Sequence, residues 1–355
     1  MSSLQYIIYL STYLCAGGGG GAQNHSKIKY LLGFSVSRAI LGLPTLWLRV
    51  MTWLLFCGPT WLIPTTEQKE KPRKHENIPI LHDYRKKPGK DFWKQFPVRN
   101  VPKTAETKIN VSKLEKLLKE RREFLTNAQY KRGMKVVQYL TDGAPSFQKN
   151  YLPPIMCRNN ESSYENGPML TDAIADWSVE GFVAGPFDSP PVKDFRSNPL
   201  KVVVQHGKAR PILNVSSPIG ASFNDNIDET KLERIEMSSP SRFGQSVIKA
   251  GKNAWMSKFD MRNAYKNIPC KVKDLRLQGF EWYSKYFIET TQMFGARTSV
   301  SNFDILGNTI MTLAKTFCEI PGSLVHRQLD DVPVVGPSSK NWCQEFSKKY
   351  EESLH

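Results

Sequence analysis

The sequence predicts an α+β fold, with helices packed on an antiparallel sheet. Three patterns along the chain indicate it. An apolar strand runs from Ala254 to Asp260, the runs Leu200–Val204 and Ala209–Val215 can form a hairpin, and apolar residues recur at helical spacing from Val300 to Phe317. With 355 residues, of which 40% are apolar and 23% charged, the chain has the composition of a globular protein.

The chain is strongly basic. Its 49 Lys and Arg residues exceed its 33 Asp and Glu residues, which gives a formal charge of +16. Such a charge favours a polyanionic partner, most often nucleic acid and less often an anionic membrane. Composition alone does not decide between a chain that binds such a partner and one that is simply basic and soluble.

The cysteines and histidines indicate neither a zinc site nor a disulfide framework. None of the six cysteines forms a C-x-x-C pair, and the six histidines are equally scattered. We therefore expect a reducing, intracellular compartment, the cytoplasm or the nucleus.

Residues 1–66 are predicted to be an apolar, poorly ordered tail, or a segment that packs on a partner. The apolar stretch from Ala39 to Ile63 approaches the length of about 20 residues that crosses a membrane. However, Arg49 and two prolines interrupt it, which disfavours a spanning helix. Membrane association is kept as the less favoured alternative.

Residues 67–145 are predicted to be a basic linker followed by a helix. Between residues 67 and 135 there are 20 Lys and Arg residues against 9 Asp and Glu. Ser112 and Glu115 have the spacing of a capping box, which predicts a helix from Ser112 to about Asn127. The stretch suits either an arm that neutralises phosphates or a solvated, charged surface.

Residues 146–250 combine helix, loop and hairpin signals. Apolar spacing predicts a helix from Leu170 to Val183, and proline content predicts a loop from Gly185 to Pro191. The runs Leu200–Val204 and Ala209–Val215 predict a hairpin that bends at Gly207.

The candidate chemistry lies in residues 251–355. Asp260 ends a strand, where a carboxylate can hold a hard cation, although such an Asp is more often a helix N-cap. Asp330 and Asp331 are flanked by apolar pairs, which predicts a strand, an acidic turn and a second strand. Two adjacent carboxylates repel each other, and a cation would offset that repulsion. A solvent-exposed acidic turn is the alternative.

A glycine loop precedes the long predicted helix. Phe294 and Gly295 lie in this loop, and such a loop at a helix N-terminus suits an anion or a nucleotide base. The alternative is an ordinary helix start, with Thr298 or Ser299 as the cap.

Taken in order, these segments resemble reverse transcriptases, and most closely those of the tyrosine-recombinase class of retrotransposons. The resemblance covers a little under half of the chain. The residues that carry it are Lys208 to Ile212, Phe259-Asp260 through Ala264-Tyr265 to Ile268-Pro269, Phe280 to Phe287, Phe294-Gly295, and Leu329-Asp330-Asp331.

The resemblance implies a polymerase whose fingers lie in residues 146–250 and whose partial palm lies in residues 251–355. It implies that two Mg²⁺ ions are held by the catalytic residues Asp260, Asp330 and Asp331. Template–primer and deoxynucleoside triphosphate are the implied partners.

The resemblance also implies roles for five substrate-binding residues. Lys208 and Arg210 would contact the triphosphate. Tyr265 would abut the sugar and exclude a 2′-hydroxyl, and Phe294 and Gly295 would border the nascent base pair. Surface charge or core packing is the alternative role for Lys208, Arg210 and Tyr265.

Four features depart from the family pattern. Gln328 stands where a tyrosine is usual, Gln205 stands where a basic residue is common, and Pro333 lies in the second strand of the acidic hairpin. Only 24 residues follow Asp331, too few for a primer grip and a thumb. We therefore expect a polymerase fragment with impaired synthesis. The alternative is a non-catalytic remnant that binds nucleic acid.

Overall fold

The computed structural model describes residues 88, 90–205, 208–235 and 237–353. The predictions for residues 1–66 and for the first part of the basic linker lie outside these residues. Within the described ranges, no helix is both long and apolar enough to cross a membrane.

The chain alternates short strands with helices. The helices are α1 (Lys90–Lys94), α2 (Val111–Glu120), α3 (Asn127–Asp142), α4 (Glu161–Glu165), α5 (Gly167–Glu180), α6 (Pro240–Ala250), α7 (Arg297–Thr316) and α8 (Trp342–Glu352). The strands are β1 (Ile155–Met156), β2 (Val183–Phe187), β3 (Arg196–Ser197), β4 (Leu200–Gln205), β5 (Lys208–Leu213), β6 (Trp255–Asp260), β7 (Gly279–Trp282), β8 (Lys285–Glu289) and β9 (Asp331–Gly336). Single-turn 3₁₀ segments include Arg122–Phe124, Ala264–Asn267 and Gly322–Leu324.

The strands form three sheets, and the predicted α+β class is confirmed. The largest sheet has the order β1-β3-β7-β8-β2. It is mixed rather than wholly antiparallel, because β3 pairs in parallel with both β1 and β7. The other two are antiparallel pairs, β4 with β5 and β6 with β9. The paired β4 and β5 confirm the predicted hairpin, while its bend at Gly207 lies outside the described residues.

Two large apolar clusters form the core. The first joins β6 and β9 to α2, α3, α7 and α8, and the second packs α1, α5 and the β4–β5 hairpin on the five-stranded sheet. Helix α7 confirms its predicted apolar spacing, because Phe303, Leu306, Ile310 and Leu313 are fully buried. The β6–β9 pair, which ends in the acidic residues, is therefore held in the first cluster beside a long, buried helix.

The predicted capping box at Ser112 is wrong. Helix α2 begins one residue earlier, and its N-cap is Asn110, whose Oδ1 accepts from the backbone N–H of Lys113 at 3.0 Å. Asn is as good an N-cap as Ser, so the nearby Asn competes successfully. The helix also ends at Glu120 rather than near Asn127. A capping box does form further on, between Thr126 and Gln129 at the start of α3.

Two predicted boundaries in residues 146–250 also differ. Helix α5 ends at Glu180 because Gly181 adopts a left-handed conformation (φ +85°), so the chain can turn into β2. Strand β2 occupies the first part of the predicted proline loop. It lies at the sheet edge, and its register shifts between Ala184 and Phe187. An irregular edge strand tolerates a proline that donates no hydrogen bond.

The start of α7 differs from the predicted capping. Neither Thr298 nor Ser299 is the N-cap, which is Ala296 without a side-chain cap. Instead, the Oδ1 of Asn224 accepts from the backbone N–H of Arg297 at 3.1 Å. A residue distant in sequence therefore satisfies a donor that the local sequence leaves open.

The acidic hairpin forms only in part. Its second strand, β9, is present, but the residues before the turn pair with it through isolated bridges at Val325 and Gln328. The carbonyl of Pro333 accepts from the N–H of His326 at 2.9 Å. The N–H and the carbonyl of one residue point to the same side of an antiparallel strand, so the N–H that proline lacks would face the residues before the turn and not β6. The pairing of β9 with β6 is therefore not interrupted.

Candidate active site

Asp260 and Asp331 are direct neighbours across two strands. The antiparallel register of β6 and β9 runs from Trp255 opposite Gly336 to Asp260 opposite Asp331. Residues directly opposite in an antiparallel pair present their side chains to the same face. The tertiary structure thus brings together two carboxylates that are distant in sequence.

Asp330 lies in the turn that leads into β9. The backbone N–H of Gln328 donates to the carbonyl of Asp331 at 2.7 Å, and the N–H of Asp331 donates back at 3.1 Å. Leu329 therefore occupies a tight turn with φ +61°, a conformation that is strained for a leucine. The N–H of Met261 donates to the carbonyl of Asp330 at 3.3 Å, which ties the turn to the end of β6.

Burial and repulsion disfavour the charged forms of the carboxyl groups of Asp260 and Asp331. Burial raises the pKa of Asp260, and the negative charge of Asp330 raises it further. Burial raises the pKa of Asp331 to about 6, although the ammonium of Lys258 opposes the shift. Lys258 Nζ lies 2.9 Å from Asp331 Oδ2. The carboxylates of the site therefore carry more negative charge than Lys258 neutralises.

The carboxylates fit Mg²⁺ as a pair rather than as a complete cage. Among the described residues, no group of three or more His, Cys, Asp or Glu side chains is arranged to hold a metal ion. Mg²⁺ is commonly held by one or two carboxylates, with water and substrate phosphates as its other ligands. Asp260 and Asp331 supply such a pair, and a cation would offset their repulsion. Convergence of all three carboxylates on one ion stays a prediction.

Tyr265 and Phe294 form an aromatic wall next to the acidic turn. Their ring centroids are 5.1 Å apart, and Tyr265 also contacts Phe303 of α7 at 5.4 Å. Burial, and then the negative charge of Asp330, raise the pKa of Tyr265 to about 12. The N–H of Met261, four residues before Tyr265, donates to the carbonyl of Asp330, so this segment lies beside the acidic turn. Two of the predicted substrate-binding residues are therefore in contact.

Gly295 lies against the end of β5. Its φ is +100°, and a Cβ atom there would lie 3.2 Å from the carbonyl oxygen of Leu213. The Nδ2 of Asn224 donates to the carbonyl of Gly295 at 3.0 Å. The loop therefore needs glycine for both its conformation and its close approach to the hairpin.

Lys208 and Arg210 lie on the same strand as Leu213. Arg210 is exposed and stands opposite Val203, and the backbone of Lys208 pairs with Gln205. The structure thus links their strand to the Gly295 loop. Their roles stay predictions.

Sequence reasoning missed three charged residues beside the site. Lys258 could have been found, because side chains two residues apart in a strand point to the same face and Asp260 is the end of that strand. Arg327 and Asp304 form a buried ion pair, each nearly inaccessible to solvent. They could not have been found, because no local pattern links the start of the turn to the middle of α7.

No protein-family model matches the sequence, and no curated protein sequence matches it. Solved structures of foamy viral protease–reverse transcriptases do match. The native Prototype Foamy Virus Protease-Reverse Transcriptase matches with 17% identity and a TM-score of 0.43, over 71% of this chain and 32% of that chain. The foamy viral enzyme in complex with dsDNA matches with 15% identity and a TM-score of 0.44, over 71% and 51%.

The same enzyme in complex with an RNA/DNA hybrid matches with 15% identity and a TM-score of 0.45, over 71% of this chain and 33% of that chain. This chain therefore spans between a third and a half of the length of these solved proteins.

Proposed function

We propose that this chain is a reverse-transcriptase-like domain of a retroelement, which transfers a deoxynucleotide to the 3′-hydroxyl of a primer. The observation that carries the proposal is the direct pairing of Asp260 with Asp331 beside the Asp330 turn. These residues stand in the order of the polymerase motifs. A tyrosine-recombinase retrotransposon is the proposed source, because the motifs resemble that class most closely.

In this proposal, Asp260 and Asp331 hold Mg²⁺, with Asp330 adding negative charge from the turn; two ions are expected. Bound Mg²⁺ would neutralise phosphate charge and make the primer hydroxyl a better nucleophile. Lys258 balances part of the charge on Asp331 when no cation is bound.

The remaining predicted residues would position the substrates. Tyr265 and Phe294 would form the wall against which the sugar and the nascent base pair lie, and Gly295 would let the backbone approach them. Arg210 and Lys208 would bind the triphosphate, since a guanidinium meets two phosphate oxygens at once. In the reaction, a bond from the primer 3′-oxygen to the α-phosphorus forms as the bond to pyrophosphate breaks.

Primer extension tests the proposal. The full chain is incubated with a labelled DNA primer on an RNA template, deoxynucleoside triphosphates and Mg²⁺. We expect extension by the wild type and a loss of about 100-fold or more in Asp260→Asn and in Asp331→Asn, because removal of preorganised charge at a reacting centre has effects of that size. The exposed Asp142→Asn is the matched control and should extend normally.

Two results would contradict the enzymatic proposal. One is extension by Asp260→Asn at the wild-type rate. The other is a folded wild type that binds template–primer but does not extend it. Salt-sensitive binding without extension would favour the alternative, a non-catalytic remnant that binds nucleic acid.

A further inference from the structure

Arg327 is a buried arginine immediately before the acidic turn. Its side chain is 2% exposed and forms an ion pair with Asp304, whose side chain is 4% exposed. The Nη2 of Arg327 donates to Oδ1 of Asp304, and Asn308 donates to the other carboxylate oxygen at 3.3 Å. The carboxylate is thus held at both oxygens by partners that include its own helix, α7.

The same guanidinium also binds the backbone of the turn. Its Nη1 donates to the carbonyl of Leu329 at 3.1 Å. Leu329 is the residue with positive φ in this turn. Arg327 therefore connects a side chain of α7 to the strained residue that precedes Asp330 and Asp331.

The backbone of α7 packs closely against Arg327 and the turn. A Cβ atom on Gly307 of α7 would lie 3.3 Å from Nη1 of Arg327 and 3.5 Å from the carbonyl oxygen of Leu329. The helix backbone therefore approaches the turn without an intervening side chain. Because α7 is a long helix with a buried apolar face, it offers a rigid support for the turn.

A buried ion pair is a poor source of stability by itself, because the desolvation of both charges can exceed their attraction. A planar guanidinium that donates to two acceptors does hold those two acceptors in a defined orientation relative to each other. We propose that Asp304 and Arg327 are positioning residues, which hold the Leu329–Asp330 turn against α7 so that Asp330 and Asp331 stay beside Asp260. Only the consequence for activity rests on the proposed function.

Backbone hydrogen exchange tests the inference without metal, nucleic acid or nucleotide. The double variant Arg327→Met/Asp304→Leu removes both charges and keeps apolar side chains of similar size in the core. We expect the amides of Gln328 and Asp331, which bond each other's carbonyls across the turn, to exchange at least 10-fold faster in this variant. The amides of the β4–β5 hairpin should exchange at the wild-type rate.

The matched control removes a second buried ion pair, which joins other elements of the fold. Lys266 and Glu289 pair between the 3₁₀ segment Ala264–Asn267 and β8, and both are 2% exposed. Lys266→Met/Glu289→Leu should leave the exchange of Gln328 and Asp331 unchanged. Acceleration of these two amides in both double variants would mean a general loss of packing and would overturn the inference.

Arg327→Lys is the second test, and it decides the question if the double variant does not fold. Lysine keeps the charge opposite Asp304 but lacks the fork that reaches two acceptors. We expect the same acceleration at Gln328 and Asp331. Wild-type exchange at these amides in a folded variant would overturn the inference.

Primer extension and backbone hydrogen exchange test the two proposals separately. If the wild type extends primers, Arg327→Lys should lower kcat at least 10-fold with a smaller change in KM for the nucleotide. If the wild type does not extend primers, the proposed function fails, while the exchange rates still decide whether Asp304 and Arg327 position the turn.

Discussion

At the scale of single residues, the surroundings of Asp331 disfavour the charged form of its carboxyl group. Its carboxyl is mostly buried, and the charges of Asp330 and Asp260 raise its pKa further. The ammonium of Lys258 opposes this rise. Burial and repulsion together favour the protonated form. The charged form of Asp331 therefore weakens the folded state in the absence of a divalent cation, and its place at the strand start is better explained by function than by stability.

The sign of this effect is measurable in Asp331→Asn. The pKa is about 6 in the folded chain and 3.8 for an unperturbed Asp. Because the folded state binds the proton more tightly, the destabilisation by Asp331 is absent below pH 4 and grows as the pH rises to about 6. Without divalent cations, Asp331→Asn should gain stability over the wild type across that range, by roughly 1–3 kcal/mol.

Thermal unfolding of both chains in a metal-chelating buffer at pH 4, 5, 6 and 8 gives the measurement. A difference in Tm between the chains that stays constant over this range would contradict the prediction. Added Mg²⁺ should raise the Tm of the wild type at pH 8 more than that of the variant, because binding to the folded state stabilises it.

Tyr265 allows a second prediction at this scale, which rests on the proposed function. Tyr265→Ala should remove the wall next to the acidic turn and increase the use of ribonucleotides relative to deoxynucleotides, by about 10-fold or more. Tyr265→Phe keeps the ring and should keep the discrimination. Single-nucleotide extension with matched dNTP and NTP measures both, and equal discrimination in Tyr265→Ala and the wild type would exclude the sugar-sensing role.

At the scale of elements, the site depends on a few close approaches between segments. Gly295 brings its loop against β5, and its conformation excludes most side chains. Gly295→Ala should cost roughly 2–4 kcal/mol, because backbone strain is added to a tight contact of 3.2 Å between the new Cβ atom and the carbonyl oxygen of Leu213. Gly220→Ala is the matched control, since Gly220 also has a positive φ (+81°) but has nothing within 4 Å of the added methyl.

Gly220→Ala should therefore cost only the backbone strain, about 1–2 kcal/mol. Denaturant unfolding of the two variants gives the difference between them. Equal destabilisation would mean that the Gly295 loop can move away from β5, and the close approach would then not be a requirement of the fold.

The start of α2 offers a test of local capping. Asn110→Ala should destabilise the chain by about 1 kcal/mol, because the N–H of Lys113 loses its acceptor. Ser112→Ala removes the residue that the sequence pattern favours and should cost less. Denaturant unfolding compares the two, and a larger effect for Ser112→Ala would support the capping box predicted from sequence.

At the scale of the whole molecule, the charge of +16 predicts salt-sensitive binding to nucleic acid. Affinity for a template–primer should fall by about 10-fold or more between 50 and 200 mM salt, because each neutralised phosphate releases counterions. Fluorescence anisotropy of a labelled duplex at several salt concentrations measures the slope. An affinity that does not change with salt would contradict a phosphate-binding role for the basic residues.

The sequence by itself determined the α+β class, the strand that ends in Asp260, the β4–β5 hairpin and the long apolar helix α7. Each of these follows from spacing within a short window. The tertiary structure alone decided the register of Asp260 with Asp331, the ion pair with Lys258 and the connection from Asp304 through Arg327 to Leu329. The physical reason is that local patterns specify which segments become strands or helices, whereas burial, register and charge pairing between distant segments are set only when those segments pack together.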